Sequence, residues 1–183
     1  LKGDRSLNKR SMKKLVILMS KFGASFLPKE KYKFPLKMIS TDYPIGIEYK
    51  AGVSAQLKSA VILAGLNSFG NTIITENEKS RDHTENILSK NKTAIKISKG
   101  KKKVIDVFGK KYLESFNLYV PGDPSSAAFF TALTLLKQNS SLRIKNVGLN
   151  PRRTGFYQLL KKQGAKISFK NKKKENNEIH GDI

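Results

Sequence analysis

The stretch V-S-A-Q-L-K-S-A-V-I-L-A-G-L, Val53 to Leu66, decides how this chain is read. A small polar turn runs into a helix that is apolar on nearly every side. A helix of that kind is buried between layers. Its first turn leaves backbone N–H groups without intrahelical acceptors, at the positive end of the helix dipole. S-R-D-H-T-E, Ser80 to Glu85, follows a short way on and opens a second helix with a polar cluster. Free N–H groups, hydroxyls and a guanidinium at helix starts suit the binding of an anion.

Three longer segments share one pattern: Arg10 to Phe26, Arg81 to Ile97 and Arg152 to Phe169. Each begins with Arg, runs an amphipathic helix, and turns through a small residue into an alternating strand. Ala24, Ala94 and Ala165 mark the turns, so the period is about seventy residues, which argues for a repeated supersecondary unit. The halves upstream correspond too. Ser59 to Leu66 is an apolar helix before the strand Thr72 to Thr75, and Ser126 to Leu136 is one before the strand Leu142 to Ile144. Alternation predicts further strands at Ala94–Ile97, Val104–Val107 and Phe116–Val120. The expected fold is α/β (α+β), built of repeated βαβαββ units. The helix Met12 to Lys21, with its lysine face, is expected outside. Pro121-Gly122-Asp123-Pro124 breaks regular structure and marks a boundary near Tyr119 to Gly122. Asp123, Ser125 and Ser126 are N-cap candidates for the helix that follows. Asn171 to Asn177 reads as a solvated loop.

Composition limits the function. The net charge of +22 invites a nucleic-acid reading. The split of 30 Lys against 6 Arg, with 13 Asn, points instead to a bias toward Lys and Asn spread over every polar face. A nucleic-acid groove favours Arg with interleaved aromatics. The runs Lys101–Lys103 and Lys172–Lys174 are read as solvent-facing turns. No stretch reaches the length of a membrane span, and no signal peptide is expected. The absence of Cys excludes disulfides and thiolate metal sites and suits a cytoplasmic protein. His83 and His180 are too few for a histidine metal site. The chain opens on Leu1 in mid-pattern and is read as a fragment.

Five blocks, in order, resemble the 3-phosphoshikimate 1-carboxyvinyltransferase (EPSP synthase) family. They are L-K-G-D-R-S-L-N-K-R-S-M (Leu1 to Met12), S-A-Q-L-K-S-A (Ser54 to Ala60), S-R-D-H-T-E, V-P-G-D-P-S-S-A-A-F-F (Val120 to Phe130) and N-V-G-L-N-P-R-R-T-G (Asn146 to Gly155). The resemblance implies an enolpyruvyl transferase-like fold of two globular domains, helices inside and sheets outside, with substrates in the cleft. Residues 1–119 would belong to the first domain and 120–183 would start the second. It implies transfer of the carboxyvinyl group of phosphoenolpyruvate to the 5-hydroxyl of shikimate 3-phosphate, without metal or organic cofactor. It also implies a monomer at full length, with no nucleic-acid or membrane partner.

Under the resemblance, Ser54, Ala55 and Gln56 hold the shikimate phosphate, with Gln56 facing both substrates. Arg81 joins them at the phosphate, and Arg10 grips phosphoenolpyruvate. A plain N-cap serine beside a surface glutamine is the other reading of Ser54 and Gln56. At Arg10 the alternative is a surface arginine, a charge disfavoured at a helix start. Ser11 stands where the family has Pro, a change expected to cost little. Asp82, His83 and Glu85 are neighbouring first-turn residues that point different ways, which argues against a metal or acid–base cluster. Lys58 is read as adding positive field or snorkelling, outside the site. Arg152, in place of a common Thr, and Arg153 are read as structural or hinge-side. The catalytic acid–base residues of the family match positions beyond Ile183, so no catalytic residue is expected here and the fragment is expected to be inactive alone. The competing readings are a basic nucleic-acid-binding module and the enolpyruvyl transferase of UDP-N-acetylglucosamine. The latter family lacks the S-A-Q and S-R-D-H-T-E blocks.

Overall fold

The computed structural model describes residues 1–183, the side chain of Lys99 excepted. In chain order the elements are α1 (Lys13–Lys21), β1 (Ser25–Leu27), β2 (Lys37–Ile39), β3 (Glu48–Ala51), α2 (Ala55–Asn67), β4 (Asn71–Glu76) and α3 (His83–Leu88). They continue with β5 (Ile95–Lys99), β6 (Lys103–Phe108), α4 (Pro124–Leu136), β7 (Val147–Gly148), α5 (Gly155–Lys162), β8 (Lys170–Glu175) and β9 (Glu178–Asp182). The chain divides into two compact units. One is residues 1–80 with 91–114; the other is residues 81–90 with 115–183.

The first unit is organised by a four-stranded sheet in the order β3-β4-β6-β5. β3 and β4 are parallel, and α2 is the crossover between them; the other pairings are antiparallel. α2 buries Lys58, Val61, Ile62, Gly65 and Leu66. Gly65 is required there: a Cβ would stand 2.9 Å from the Thr72 side chain. Ile74, Ile105 and Val107 are fully buried on the sheet. Strand alternation puts Thr72, Ile74 and Glu76 of β4 on the buried face, so an acid occupies a core position. α1 buries Val16 and Leu18 and leaves its lysines in solvent, as its periodicity predicts. β1 and β2 form a small separate hairpin.

The second unit is built on the antiparallel sheet β7-β9-β8. Tyr157 of α5 is buried, and its hydroxyl donates to the Pro124 carbonyl at 2.6 Å, which seats α5 against the start of α4. Asp182 accepts from Arg143 at 2.6 Å, from Asn171 at 2.7 Å and from the Asn146 N–H at 3.1 Å. Those bonds, Arg143 first, hold its carboxyl at about 2.

Several expectations are corrected. Residues 171–177 are not a loop. Lys170–Glu175 is strand β8, and Asn176 and Asn177, with φ of 48° and 61°, close a two-residue hairpin onto β9. Paired left-handed residues match the twist of a hairpin, and Asn tolerates them. The Lys172–Lys174 run therefore lies on a strand, not in a turn. Lys103 likewise begins β6. Phe116–Val120 forms no strand. It is exposed, and the one sheet contact at this boundary is the isolated bridge of Gly122 to Val147. Leu142–Ile144 forms no strand; reciprocal backbone bonds of Ile144 and Ile183, at 2.9 and 3.0 Å, and the Arg143 side chain on Asp182 hold it. In the third repeat, the expected strand at residues 165–169 has no ladder partner among the described residues. α4 also departs from expectation: Pro124, Ala127 and Thr131 are buried, whereas Phe129, Leu133 and Leu136 face outward.

The hairpin gives a direct test. Asn177→Val places a β-branched side chain at a left-handed residue and is expected to destabilise the second unit by about 1–2 kcal/mol. Asn177→Gly keeps the left-handed backbone without strain and should cost less, losing the 2.6 Å bond from Asn177 to Ser89. Urea unfolding of both variants checks the pair.

Candidate phosphate-binding site

The site residues of the first unit begin at the N-terminus of α2. Ser54 is extended and caps the helix; its hydroxyl oxygen accepts the Leu57 N–H at 3.3 Å. The same hydroxyl donates to Gln56 Oε1 at 3.5 Å, a long bond that a ligand oxygen could replace. The Ala55 and Gln56 N–H groups occupy the first two helical positions, where no intrahelical acceptor exists. No acid lies in the first turn to neutralise the dipole. Gln56 is exposed. A hollow of about 500 Å³ opens beside this turn, lined by Ser54, Val53, Leu57, Tyr49, Lys14 and Lys21 among others. Lys14 and Lys21 are seven residues apart on α1, hence on one face. Glu78 is the one acid in the lining.

Arg10 follows a short 3₁₀ turn at Leu7–Lys9 and is exposed, outside the lining of that hollow. Arg81 belongs to the second unit, is exposed, and directly precedes the start of α3.

Lys58 and Glu76 hold the α2 turn from beneath. Lys58 is four residues after Ser54 and donates its N–H to the Ser54 carbonyl at 3.2 Å. Its side chain is fully buried, and its ammonium meets Glu76 Oε1 at 2.8 Å. The same oxygen accepts the Ser80 N–H at 3.1 Å and the Ser80 hydroxyl at 3.0 Å. Lys103, the register partner of Glu76 on β6, approaches Oε2 at 3.3 Å. Burial pushes the Glu76 carboxyl up, but the bonds from Lys58 and Ser80 and the charge of Lys103 outweigh it and bring it down to about 2. Lys58 is therefore neither a free cation nor a snorkelling one. The sequence held the signal: extending the β4 alternation by one residue puts Glu76 inside.

In the second unit the polar residues after Arg81 are engaged structurally. Asp82 accepts from Asn150 at 2.9 Å and pairs with Arg152 at 3.1 Å. His83 Nδ1 lies 2.9 Å from Glu178, which also accepts from Asn86 at 2.9 Å. Burial raises the Glu178 carboxyl, yet His83, Asn86 and Asn150 bring it below its ordinary value. Arg153 donates to Asp123 at 2.5 Å and to Ser125 at 2.8 Å, and Asp123 caps α4 through the Ser125 N–H. The Asp123 carboxyl is lowered, first by that N–H. Arg152 and Arg153 thus fasten loops to helix starts. Among the described residues no group of three or more His, Asp or Glu is arranged to hold a metal. No helix is long and apolar enough to cross a membrane.

Comparison with known proteins agrees with the five sequence blocks. A family model described as EPSP synthase (3-phosphoshikimate 1-carboxyvinyltransferase) matches residues 1–182. The 3-phosphoshikimate 1-carboxyvinyltransferase of Bacillus subtilis is 42% identical over 182 residues, covering 99% of this chain and 42% of the relative. That of Petrotoga mobilis is 42% identical over 183 residues, with the same coverage of both chains. A solved EPSP synthase from Acinetobacter baumannii superposes with a TM-score of 0.80 at 35% identity, over 100% of this chain and 41% of that one. The chain spans about two fifths of the length of the relatives it matches. From its first residue almost to its last, then, this chain belongs to the EPSP synthase family.

Proposed function

We propose that this chain supplies part of the substrate site of an enolpyruvyl transferase acting on shikimate 3-phosphate and phosphoenolpyruvate. The observation that carries the reading is the first turn of α2. It has a serine cap, two amides without intrahelical acceptors and no acid, beside a hollow with two lysines. A phosphate placed there takes the Ala55 and Gln56 N–H groups and the Ser54 hydroxyl; Arg81 is proposed as a further phosphate ligand, for its two-pronged guanidinium. Arg10 is proposed in the same way for phosphoenolpyruvate. In the reaction, C3 of phosphoenolpyruvate gains a proton and the 5-hydroxyl, giving up its own, attacks C2; the tetrahedral adduct then loses phosphate from C2 and a proton from C3, which restores the vinyl double bond. Residues 1–183 offer binding groups for this sequence; the acid–base pair it needs is assigned to residues outside them. Residues 1–119 are assigned to one domain of the transferase and 120–183 to the start of the next. The whole enzyme is proposed to be a cytoplasmic monomer.

Titration calorimetry of the chain with shikimate 3-phosphate, and separately with duplex DNA, tests this. Nucleic-acid binding by a net charge of +22 should fall by about 10³–10⁵ between 50 and 200 mM salt. A shaped phosphate site keeps its preference for the small ligand. Ser54→Ala should weaken that ligand about tenfold, the loss of one hydrogen bond to a charged group. Phosphate release from the two substrates should be absent with the 183 residues alone; turnover would refute the assignment of the acid–base pair elsewhere.

A further inference from the structure

We infer that a pocket in the second unit binds a small, uncharged aromatic molecule carrying an O–H or N–H donor. The inference is independent of the phosphate reading of α2. The pocket has a volume of about 430 Å³, and all of its lining belongs to residues 81–90 and 115–183. That volume lies within the range of small-ligand sites. Ile87 of α3 and Leu118, Val120, Pro121 and Pro124 of the boundary segment give it an apolar wall. Tyr119 adds a ring, whose centroid is 5.4 Å from that of His180.

Both histidines line this pocket, and each keeps one ring nitrogen buried without a hydrogen-bond partner: Nε2 of His83 and Nδ1 of His180. Buried polar atoms in that condition are rare, and a ligand atom that pairs with one gains a full hydrogen bond. Glu178 decides what His83 offers. Its carboxyl lies below the ordinary value, and it takes the Nδ1 proton of His83 in a bond of 2.9 Å. The neutral ring then presents Nε2 as an acceptor, and its complement is a donor. Charge selects further. Among the described residues the lining holds three acids, Asp123, Glu175 and Glu178, against Arg153, which is already paired with Asp123. An anion placed there meets uncompensated negative charge. An uncharged planar ring meets the apolar wall and Tyr119.

Three probes with one bicyclic ring separate donor from charge. 2-Naphthol has the donor, 2-methoxynaphthalene lacks it, and 2-naphthoate is an anion. The chain has no Trp, so naphthalene emission reports binding directly. At about pH 7.5 the chain should bind 2-naphthol saturably. The ether should bind about tenfold more weakly, the loss of one hydrogen bond to a buried acceptor. 2-Naphthoate should bind more weakly than either. His83 and His180 are the two histidines of the sequence, so their ring resonances are a clean second readout. Both should shift with 2-naphthol, over the same concentrations as the emission. Equal affinity for 2-naphthol and its ether, or tighter binding of 2-naphthoate, would overturn the inference. Histidine rings unmoved by saturating 2-naphthol would do so as well, as would the absence of 2-naphthol binding.

Discussion

Arg81→Ala is expected to weaken shikimate 3-phosphate binding about a hundredfold, an effect larger than that of any other single ligand proposed here. An arginine fork on a phosphate makes two parallel charge-assisted hydrogen bonds, each worth about 1.5–3 kcal/mol. Solvent exposure of Arg81 tempers this, so the lower end is the appropriate figure. Because the group is exposed and makes no hydrogen bond or ion pair among the described residues, its removal should leave the unfolding temperature nearly unchanged. Arg81→Lys should recover part of the loss, since an ammonium supplies charge without the fork. Binding of unphosphorylated shikimate should be insensitive to either change. Calorimetry with the two ligands makes the comparison; a parallel loss for both would show that Arg81 supports the fold and not the phosphate.

Glu76→Ala should have the largest effect on stability, about 3–5 kcal/mol, because it takes the partner from a fully buried ammonium. The double change Lys58→Met with Glu76→Leu should recover part of this, since it removes both members of the buried pair and refills the space, while the bonds of Ser80 and Lys103 to the carboxylate are still lost. The same carboxylate gives a pH dependence of defined sign. Its folded value of about 2 lies below its ordinary value of 4.5. The stability it contributes is fully present above pH 4.5 and is lost as the pH falls toward 2, at most about 3 kcal/mol in all. Urea unfolding at several pH values between 6 and 2.5 should show this loss in the parent and a shallower slope in the double variant. Identical slopes would place the acid sensitivity elsewhere.

The contrast between α2 and the β8–β9 hairpin shows which parts of the fold are legible in sequence. α2 announces itself as an unbroken apolar run, and β4 and β6 through apolar alternation, because each is buried within the first unit. β8 is six polar residues, all exposed, so no apolar alternation marks it. Only the Asn176-Asn177 turn gives it away, and a pair of asparagines is a weaker hairpin signal than Asn-Gly. Phe116–Val120 errs the other way: it alternates well, yet a strand needs a neighbour and it has none among the described residues.

The candidate site divides along the same line. The Ser54 cap is local, set by bonds to residues three and four positions on, and is readable from the motif. The support beneath it is not. Lys58 and Glu76 are 18 residues apart, and the partners of α3 at Asn150 and Glu178 lie 68 and 95 positions from the residues they hold. A buried lysine in an otherwise apolar helix implies a buried acid, but does not say which one.

The first turn of α2 is the proposed seat of the shikimate phosphate, with Arg81 as a further proposed ligand. Amide chemical shifts of the isotopically labelled chain, followed during titration with shikimate 3-phosphate, test it most directly. Ala55, Gln56 and Arg81 are expected to shift first and saturably, and unphosphorylated shikimate to leave them in place. Saturable shifts confined to the lysine-rich strand β8, with Ala55, Gln56 and Arg81 unmoved, would contradict it.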